Sequence, residues 1–251
     1  MDNFSQNISY NGFAYIYDKL TDDVEYEKRA EYIEDIIKKH TNIKPGLMCD
    51  LACGTGTMCR ILSKKGYDMI GIDSSPDMLN VANQKSEGLN ILYLNQDITN
   101  FELYGTVDVI ICMLDSVNYL TGDGDVYKLM SLVKNYLNPN GLFIFDVNSP
   151  YKFKKILNNN IFTYEQNGIY YTWENCFDGE YCDFYLEFFV QNDNGSYERI
   201  SETHTERMYT KRFLKNTVKK AGLKLEACYK DLTFKAPSYA TERLVFVAKK
   251  C

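Results

Sequence analysis

With 251 residues, 45% of them hydrophobic, the chain is long enough for one full α/β domain carrying an insertion. Lys and Arg number 28 against 34 Asp and Glu, a net charge of -6, and an acidic chain is a poor partner for phosphate backbones, which disfavours a nucleic-acid substrate. Residues 1–20 carry no leader pattern and no apolar run reaches the ~18 residues of a membrane span, so the expectation is a cytoplasmic protein that does not engage a membrane.

Tyr10, Phe13, Tyr15 and Tyr17, followed by Asp18, make residues 1–20 an aromatic arm, either a lid or a segment packed on the domain surface. Tyr26, Ala30, Ile33 and Ile37 recur at helical spacing and predict an amphipathic helix over 22–39. Pro45-Gly46 breaks the chain before the first strand. Strands are expected at 47–51, 69–73, 91–95, 107–114 and 142–147, with helices at about 57–65, from Pro76, and at about 126–137. The unbroken apolar run at 107–114 suits a strand covered on both faces. Asn138-Pro139-Asn140-Gly141 reads as a turn. Repeated βα units of this kind argue for a parallel, doubly wound sheet.

After Pro150 the rhythm changes, and three strands are predicted between about Gly168 and Met208. Asp178-Gly179 and Asp193-Asn194-Gly195 are hairpin signals between them. In the middle strand Cys182, Phe184, Leu186, Phe188 and Val190 face one way; Tyr181, Asp183, Tyr185, Glu187 and Gln191 face the other. This predicts an antiparallel sheet with one buried face, inserted after the fifth strand. Its polar and aromatic face, with Tyr181 and Tyr185, is expected to meet a ligand together with His204 on the next strand. A helix at about 210–221 and strands at 223–229 and 243–248 complete the pattern. The expected division is an N-terminal lid and helix (1–40), an α/β domain (41–149 and 209–251) and the insertion (150–208). Eight cysteines without Cys-x-x-Cys, and only two histidines, predict reduced structural thiols and no metal site.

The organising stretch is Asp50-Leu51-Ala52-Cys53-Gly54-Thr55-Gly56, a strand end running into a glycine turn that opens a helix. Such a turn brings backbone close to a ligand, and the helix start offers free N–H groups. The dinucleotide fingerprint needs a third glycine where this chain has Cys59, and no Gly-Lys-Ser/Thr follows as in a P-loop. Asp73 closes the second strand and Asp97 follows the third.

This ordered set resembles the class I S-adenosylmethionine-dependent methyltransferases, strongly over about 43–149 and more loosely toward both ends. The resemblance implies a Rossmann-like seven-stranded α/β sheet that binds S-adenosylmethionine and releases S-adenosylhomocysteine. Asp73 would then accept from the ribose hydroxyls, and Asp97 with the Ile98 N–H would meet the adenine edge. Met78 and Ile98 would flank the ring, and Asp50 with the Gly54–Gly56 backbone would hold the amino-acid end. Tyr15, Ala52, Ser74 and Leu114 complete the implied cofactor set. No Asn/Asp-Pro-Pro-Tyr/Phe follows the fourth strand; Met113-Leu114-Asp115-Ser116 stands there instead. With Tyr15-Ile16-Tyr17-Asp18 and the insertion, the chain resembles the small-molecule branch that includes sugar N-methyltransferases. A small-molecule acceptor methylated at nitrogen or oxygen is therefore expected. His204 is the candidate base, with Tyr17 and Asp115 behind it. A non-catalytic cofactor-binding protein and an NAD-linked oxidoreductase stay open as alternatives, since an acidic residue at the second strand would also serve NAD. The oligomeric state is open, a dimer included.

Overall fold

The computed structural model describes residues 12–21, 24–166, 168–192 and 194–251. Residues 1–11 of the aromatic arm (Tyr10 among them), the expected helix start at 22–23, and Asp193 of the second hairpin signal lie outside the described residues. Helices α1 (Gly12–Leu20) and α2 (Tyr26–His40) lead into β1 (Leu47–Leu51), α3 (Thr57–Lys64), β2 (Asp68–Asp73), α4 (Pro76–Lys85), β3 (Ile91–Asn95) and β4 (Val107–Cys112). A 3-10 turn (Ser116–Tyr119), α5 (Asp125–Tyr136) and β5 (Leu137–Asn148) follow. A π-helical turn (Lys152–Leu157) then enters β6 (Ile161–Gln166), β7 (Ile169–Phe177), β8 (Tyr181–Gln191) and β9 (Tyr197–Arg207). Helix α6 (Lys211–Lys220), β10 (Lys224–Lys230) and β11 (Arg243–Lys249) come last.

Seven strands form one sheet in the order β10-β11-β5-β4-β1-β2-β3. Neighbours from β3 to β5 are parallel, and β11 runs antiparallel to both β5 and β10. The strand order reverses between β1 and β4, and in open α/β sheets ligands bind outside the carboxyl ends at that point. Helices cover both faces. Val126, Leu129, Val133, Leu214 and Val218 bury one face with Ile110 and Cys112. Ile33, Ile36, Ile37, Met58 and Leu62 bury the other with Val109 and Ile111. Alternate β4 residues thus meet opposite cores, which is why that strand reads as a continuous apolar run. Helix α4 starts as its sequence dictates, with Pro76 in its first turn and the Ser75 hydroxyl accepting from Met78 N at 3.3 Å.

The turn expected at 138–141 lies inside β5 as a bulge. Val107 pairs with Leu137 and Val109 with Leu142, so the Asn-Pro-Asn-Gly stretch loops out of register within one strand. The insertion holds four strands where three are expected, in the order β6-β7-β8-β9, all antiparallel. The additional strand, β6, lies at the edge and none of Ile161–Glu165 is buried; without a buried face it leaves no alternation to read.

Two apolar contacts among the described residues help fasten this second sheet to the first. Phe153 and Leu157 of the π-helical turn pack with Cys182 and Phe184. Ile16 of α1 packs with Ile169 and Phe188, flanked by Phe13 and Leu20. Burial of side chains such as Ile16 and Phe188 contributes roughly 1.5–3 kcal/mol each. Helix α1 also reaches the glycine turn, where Thr55 Oγ1 donates to Asp18 Oδ1 at 2.5 Å and Lys85 pairs with the same carboxylate. It bridges the two sheets.

Candidate active site

One cavity of about 980 Å3 runs from the carboxyl ends of β1–β4 to the inner face of the antiparallel sheet. Of the residues the sequence assigns to the cofactor, Ala52, Gly54, Asp73, Ser74, Met78, Asp97, Ile98 and Leu114 line it. The three candidate catalytic residues, Tyr17, Asp115 and His204, line it as well.

The cofactor end is built from backbone. The Gly54 N–H donates to Asp73 Oδ2 at 2.8 Å, and the Ser75 N–H donates to Oδ1 at 2.9 Å. The end of β2 is therefore tied to the turn after β1. Burial raises the Asp73 carboxyl, against the pull of the Ser75 and Gly54 N–H groups. Gly54 sits at φ 53°, and a Cβ there would meet nothing within 4 Å. It leaves the open space that a close-lying ligand needs. Gly56, at φ 74°, has a different reason to be glycine: a Cβ would run into the Tyr93 hydroxyl at 2.2 Å. Gly56 serves helix packing, and it does not line the cavity.

Asp50, assigned to the cofactor by sequence, does not line the cavity: it is buried behind the turn and accepts from Cys59 Sγ at 3.5 Å. Burial lifts its carboxyl to about 7. Cys59, where a dinucleotide site would carry its third glycine, is thus a packed thiol donor to Asp50. Tyr15 stands apart from the expected set: it is 54% exposed, and its hydroxyl donates to Gln84 Oε1 at 3.3 Å. It faces away because successive α1 positions turn by about 100° around the helix, and Ile16 and Tyr17 take the inward side.

Backbone strain marks both strand ends at the switch point. Ala52 after β1 has φ 56°, while Leu114 and Asp115 after β4 have φ 57° and 56°. A non-glycine residue in this region costs roughly 1–2 kcal/mol. Asp146 offsets the second kink by accepting from Leu114 N at 3.1 Å and Asp115 N at 2.6 Å. Arg243 on β11 holds both carboxylates, at 2.7 Å to Asp146 and 3.1 Å to Asp115. Burial would lift the Asp115 carboxyl, but Arg243, Lys152 and the hydrogen bonds around it bring it below the usual range.

The acceptor-facing wall is made by side chains of the antiparallel sheet, and here one expectation is corrected. The face that meets the cavity is the apolar one, with Phe184 and Leu186, joined by Trp173. Tyr185 is 44% exposed on the opposite face, and Tyr181 lies there against Arg207. The register explains it. His204 pairs with Phe184 and Glu202 with Leu186, and residues directly opposite in an antiparallel pair point to the same side. The same alternation aims Glu198, Ile200, Glu202, His204 and Glu206 of β9 at the cavity. Sequence reading missed Glu198, Glu202 and Glu206, although the two-residue period running both ways from His204 carries them.

His204 is held by rings, at 5.9 Å from Phe13 and 5.8 Å from Tyr119. Its Nε2 is 3.9 Å from Glu202 Oε2. Burial lowers its pKa below 6.5, which keeps the imidazole neutral at neutral pH. Burial pushes Tyr17 well above the ordinary phenol value, with Tyr26 and the negative charge of Asp115 adding to it, so Tyr17 keeps its hydroxyl proton. No described helix is long and apolar enough to cross a membrane.

Comparison with known proteins agrees with this arrangement. A family model described as "Methyltransferase domain" matches residues 48–141. A Bacillus subtilis (strain 168) protein that carries the provisional name methyltransferase YqeM is 34% identical over 247 residues, 96% of this chain and 97% of that one. The crystal structure of an S-adenosylmethionine-dependent methyltransferase from Clostridium acetobutylicum ATCC 824 is 35% identical, covers 96% of this chain and 98% of its own, and superposes with a TM-score of 0.88. CalS10 of Micromonospora echinaspora, an amino pentose methyltransferase solved with its cofactor, shares the fold at 18% identity and a TM-score of 0.76, over 98% of this chain and 99% of that one.

Proposed function

The chain belongs to the S-adenosylmethionine-dependent methyltransferases, and from that premise we propose that it methylates the nitrogen of a small amine-bearing acceptor, such as an amino sugar. Membership in this family sets aside the NAD-linked alternative.

The observation that carries the acceptor class is the charge of the wall facing the cofactor end. Glu198, Glu202 and Glu206 line it around His204, among Trp173, Phe184 and Tyr119, and the Arg199 guanidinium that also borders it is paired with Glu187. An acidic, aromatic wall favours a positively charged nitrogen through both carboxylates and ring faces. The amino pentose acceptor of CalS10 belongs to the same class.

The residues at the cofactor end fit S-adenosylmethionine: Gly54 leaves space at the turn, and two strand-end carboxylates line the cavity. Asp73 would take the ribose hydroxyls, Asp97 and Ile98 the adenine edge with Met78 beside it, and Gly54 the amino-acid end, with the Asp50 carboxyl behind the turn. When bound, S-adenosylmethionine supplies an electrophilic methyl group on a positively charged sulfur. The chain's own task is alignment, which can supply roughly 7–11 kcal/mol of a barrier. His204 removes the acceptor's N–H proton to its neutral ring, leaving the electron pair on nitrogen, while Tyr17 and Asp115 position the acceptor. Residues 150–208 act as the acceptor-binding subdomain and α1 as the lid between the two halves. A turnover screen with ethanolamine, glucosamine, glucose and acetate, read by S-adenosylhomocysteine release, tests this reading. Methylation of the amines alone is expected; turnover with glucose or acetate and with neither amine refutes it.

A further inference from the structure

Among the described residues, Glu206 is a carboxyl without an ion-pair partner. It is 3% exposed yet lines the cavity. The cations around it are committed elsewhere: Arg243 holds Asp115 and Asp146, and Lys152 Nζ donates to Asn148 Oδ1 at 2.9 Å. Glu206 itself accepts from Asn148 Nδ2 at 3.0 Å, an amide that also donates to Asp115. Among the described residues no Lys or Arg forms an ion pair with it. The groups that act on it are Asp115 after β4, Asn148 on β5, Lys152 on the π-helical turn and Arg243 on β11, with Tyr119 nearby.

An ionised carboxylate buried with one amide donor costs several kcal/mol. Burial raises Glu206 well above the usual carboxylate value and the charge of Asp115 adds to it, against the pull of Asn148, Lys152 and Arg243, so the fold favours the protonated form of the free carboxyl. Arg243 and Lys152 then balance Asp115 and Asp146, and the cluster is neutral. It is also incomplete, because ionising Glu206 calls for one more cation on the cavity side.

Building on the amine-acceptor reading, we propose that Glu206 is the anchor that selects a cationic nitrogen in the acceptor, with the ligand itself supplying the counter-ion that the cluster lacks. As the ammonium group docks, the Glu206 O–H bond breaks, its electron pair stays on oxygen and the proton leaves to solvent. The carboxylate then pairs with the ammonium. His204 stands two residues away on the same face of β9, so a nitrogen held at Glu206 lies within the imidazole's neighbourhood. An acceptor hydroxyl brings no charge to Glu206 and gains no such pairing.

The test uses the full-length protein labelled with carboxyl-13C glutamate. The Glu206 resonance is identified by its loss in Glu206→Gln and checked with Glu206→Asp. Methylammonium chloride is the cation probe, with sodium chloride at equal ionic strength as control. At pH 7 the resonance is expected at a protonated position, moving to the ionised position with methylammonium and staying with sodium. Kinetics supply the second readout. With ethanolamine, Glu206→Gln should raise KM by roughly 10- to 150-fold, as for loss of a charged hydrogen bond worth ~1.5–3 kcal/mol, and leave S-adenosylmethionine affinity unchanged. Glu206→Asp should recover part of that loss. If ethanolamine is methylated while the Glu206 resonance ignores methylammonium, the anchor is overturned and the amine reading stands. If methylammonium ionises Glu206 but glucose is the only acceptor turned over, the cation site stands and the amine reading falls.

Discussion

At the carboxyl ends of β1 and β2 the ligand-facing groups are turn backbone and a strand-end carboxylate held by two backbone N–H groups. On the inner face of β9 they are alternating side chains, fixed by strand pairing and by contacts from α1. The first region takes its shape from residues close together in sequence, so it suits a ligand common to a whole family. The second takes its chemistry from side chains that can change without disturbing the ladder, so it can carry the choice of acceptor. Substitutions on the two sides should therefore fail differently: loss of cofactor affinity on one, loss of turnover or acceptor binding with cofactor affinity kept on the other.

The largest separation is expected at His204. His204→Ala should lower kcat by ~10²–10⁴-fold, the usual contribution of a positioned base, while calorimetry shows S-adenosylmethionine bound as in the parent protein. An equal fall in cofactor affinity would place His204 on the wrong side of the comparison. Next comes Asp73→Ala, which should weaken S-adenosylmethionine by roughly 10- to 150-fold, since hydrogen bonds to a charged group are worth ~1.5–3 kcal/mol. Retention of full affinity by a folded variant would remove Asp73 from the cofactor site.

How legible the two sides were follows the same division. The cavity-lining positions of Gly54, Asp73 and Asp97 are readable because a glycine turn and strand-end carboxylates are local features at fixed positions in each βα unit. The reason for Gly56 was not readable, since Tyr93, which excludes any side chain there, comes from β3. The bulge in β5 escaped because Asn-Pro-Asn-Gly specifies a turn and only pairing with β4 shows that the strand continues. On the acceptor side the alternation of β8 was visible, but which face met the cofactor depended on how the sheet folds back over the core. The Asp115, Asn148, Glu206 and Arg243 cluster joins positions 33 to 128 residues apart, and no local pattern announces it.

A smaller effect should appear with pH. Burial holds Asp50 at about 7, so its carboxyl gains charge as pH rises through neutrality. The ionised form alone places a negative charge behind the turn, where it attracts a positively charged amino-acid end. S-adenosylmethionine affinity should therefore rise by about tenfold from pH 6 to pH 8 by simple titration. Asp50→Asn should flatten that rise. A profile with the opposite slope would mean that the neutral carboxyl is the binding form. The smallest effect is expected at Tyr15, which lies outside the cavity: Tyr15→Phe should change cofactor affinity by about twofold or less, the range of a surface substitution.

The central claim is that the cofactor end and the acidic face of β9 share one cavity, with the reactive methyl group aimed at that face. A crystal structure of the complex with S-adenosylhomocysteine tests it most directly. The expected result has the ribose at Asp73, the adenine between Met78 and Ile98, and the sulfur opening toward His204 and Glu206. A sulfur that faces away from β9, or is walled off from it by α1, would contradict the account.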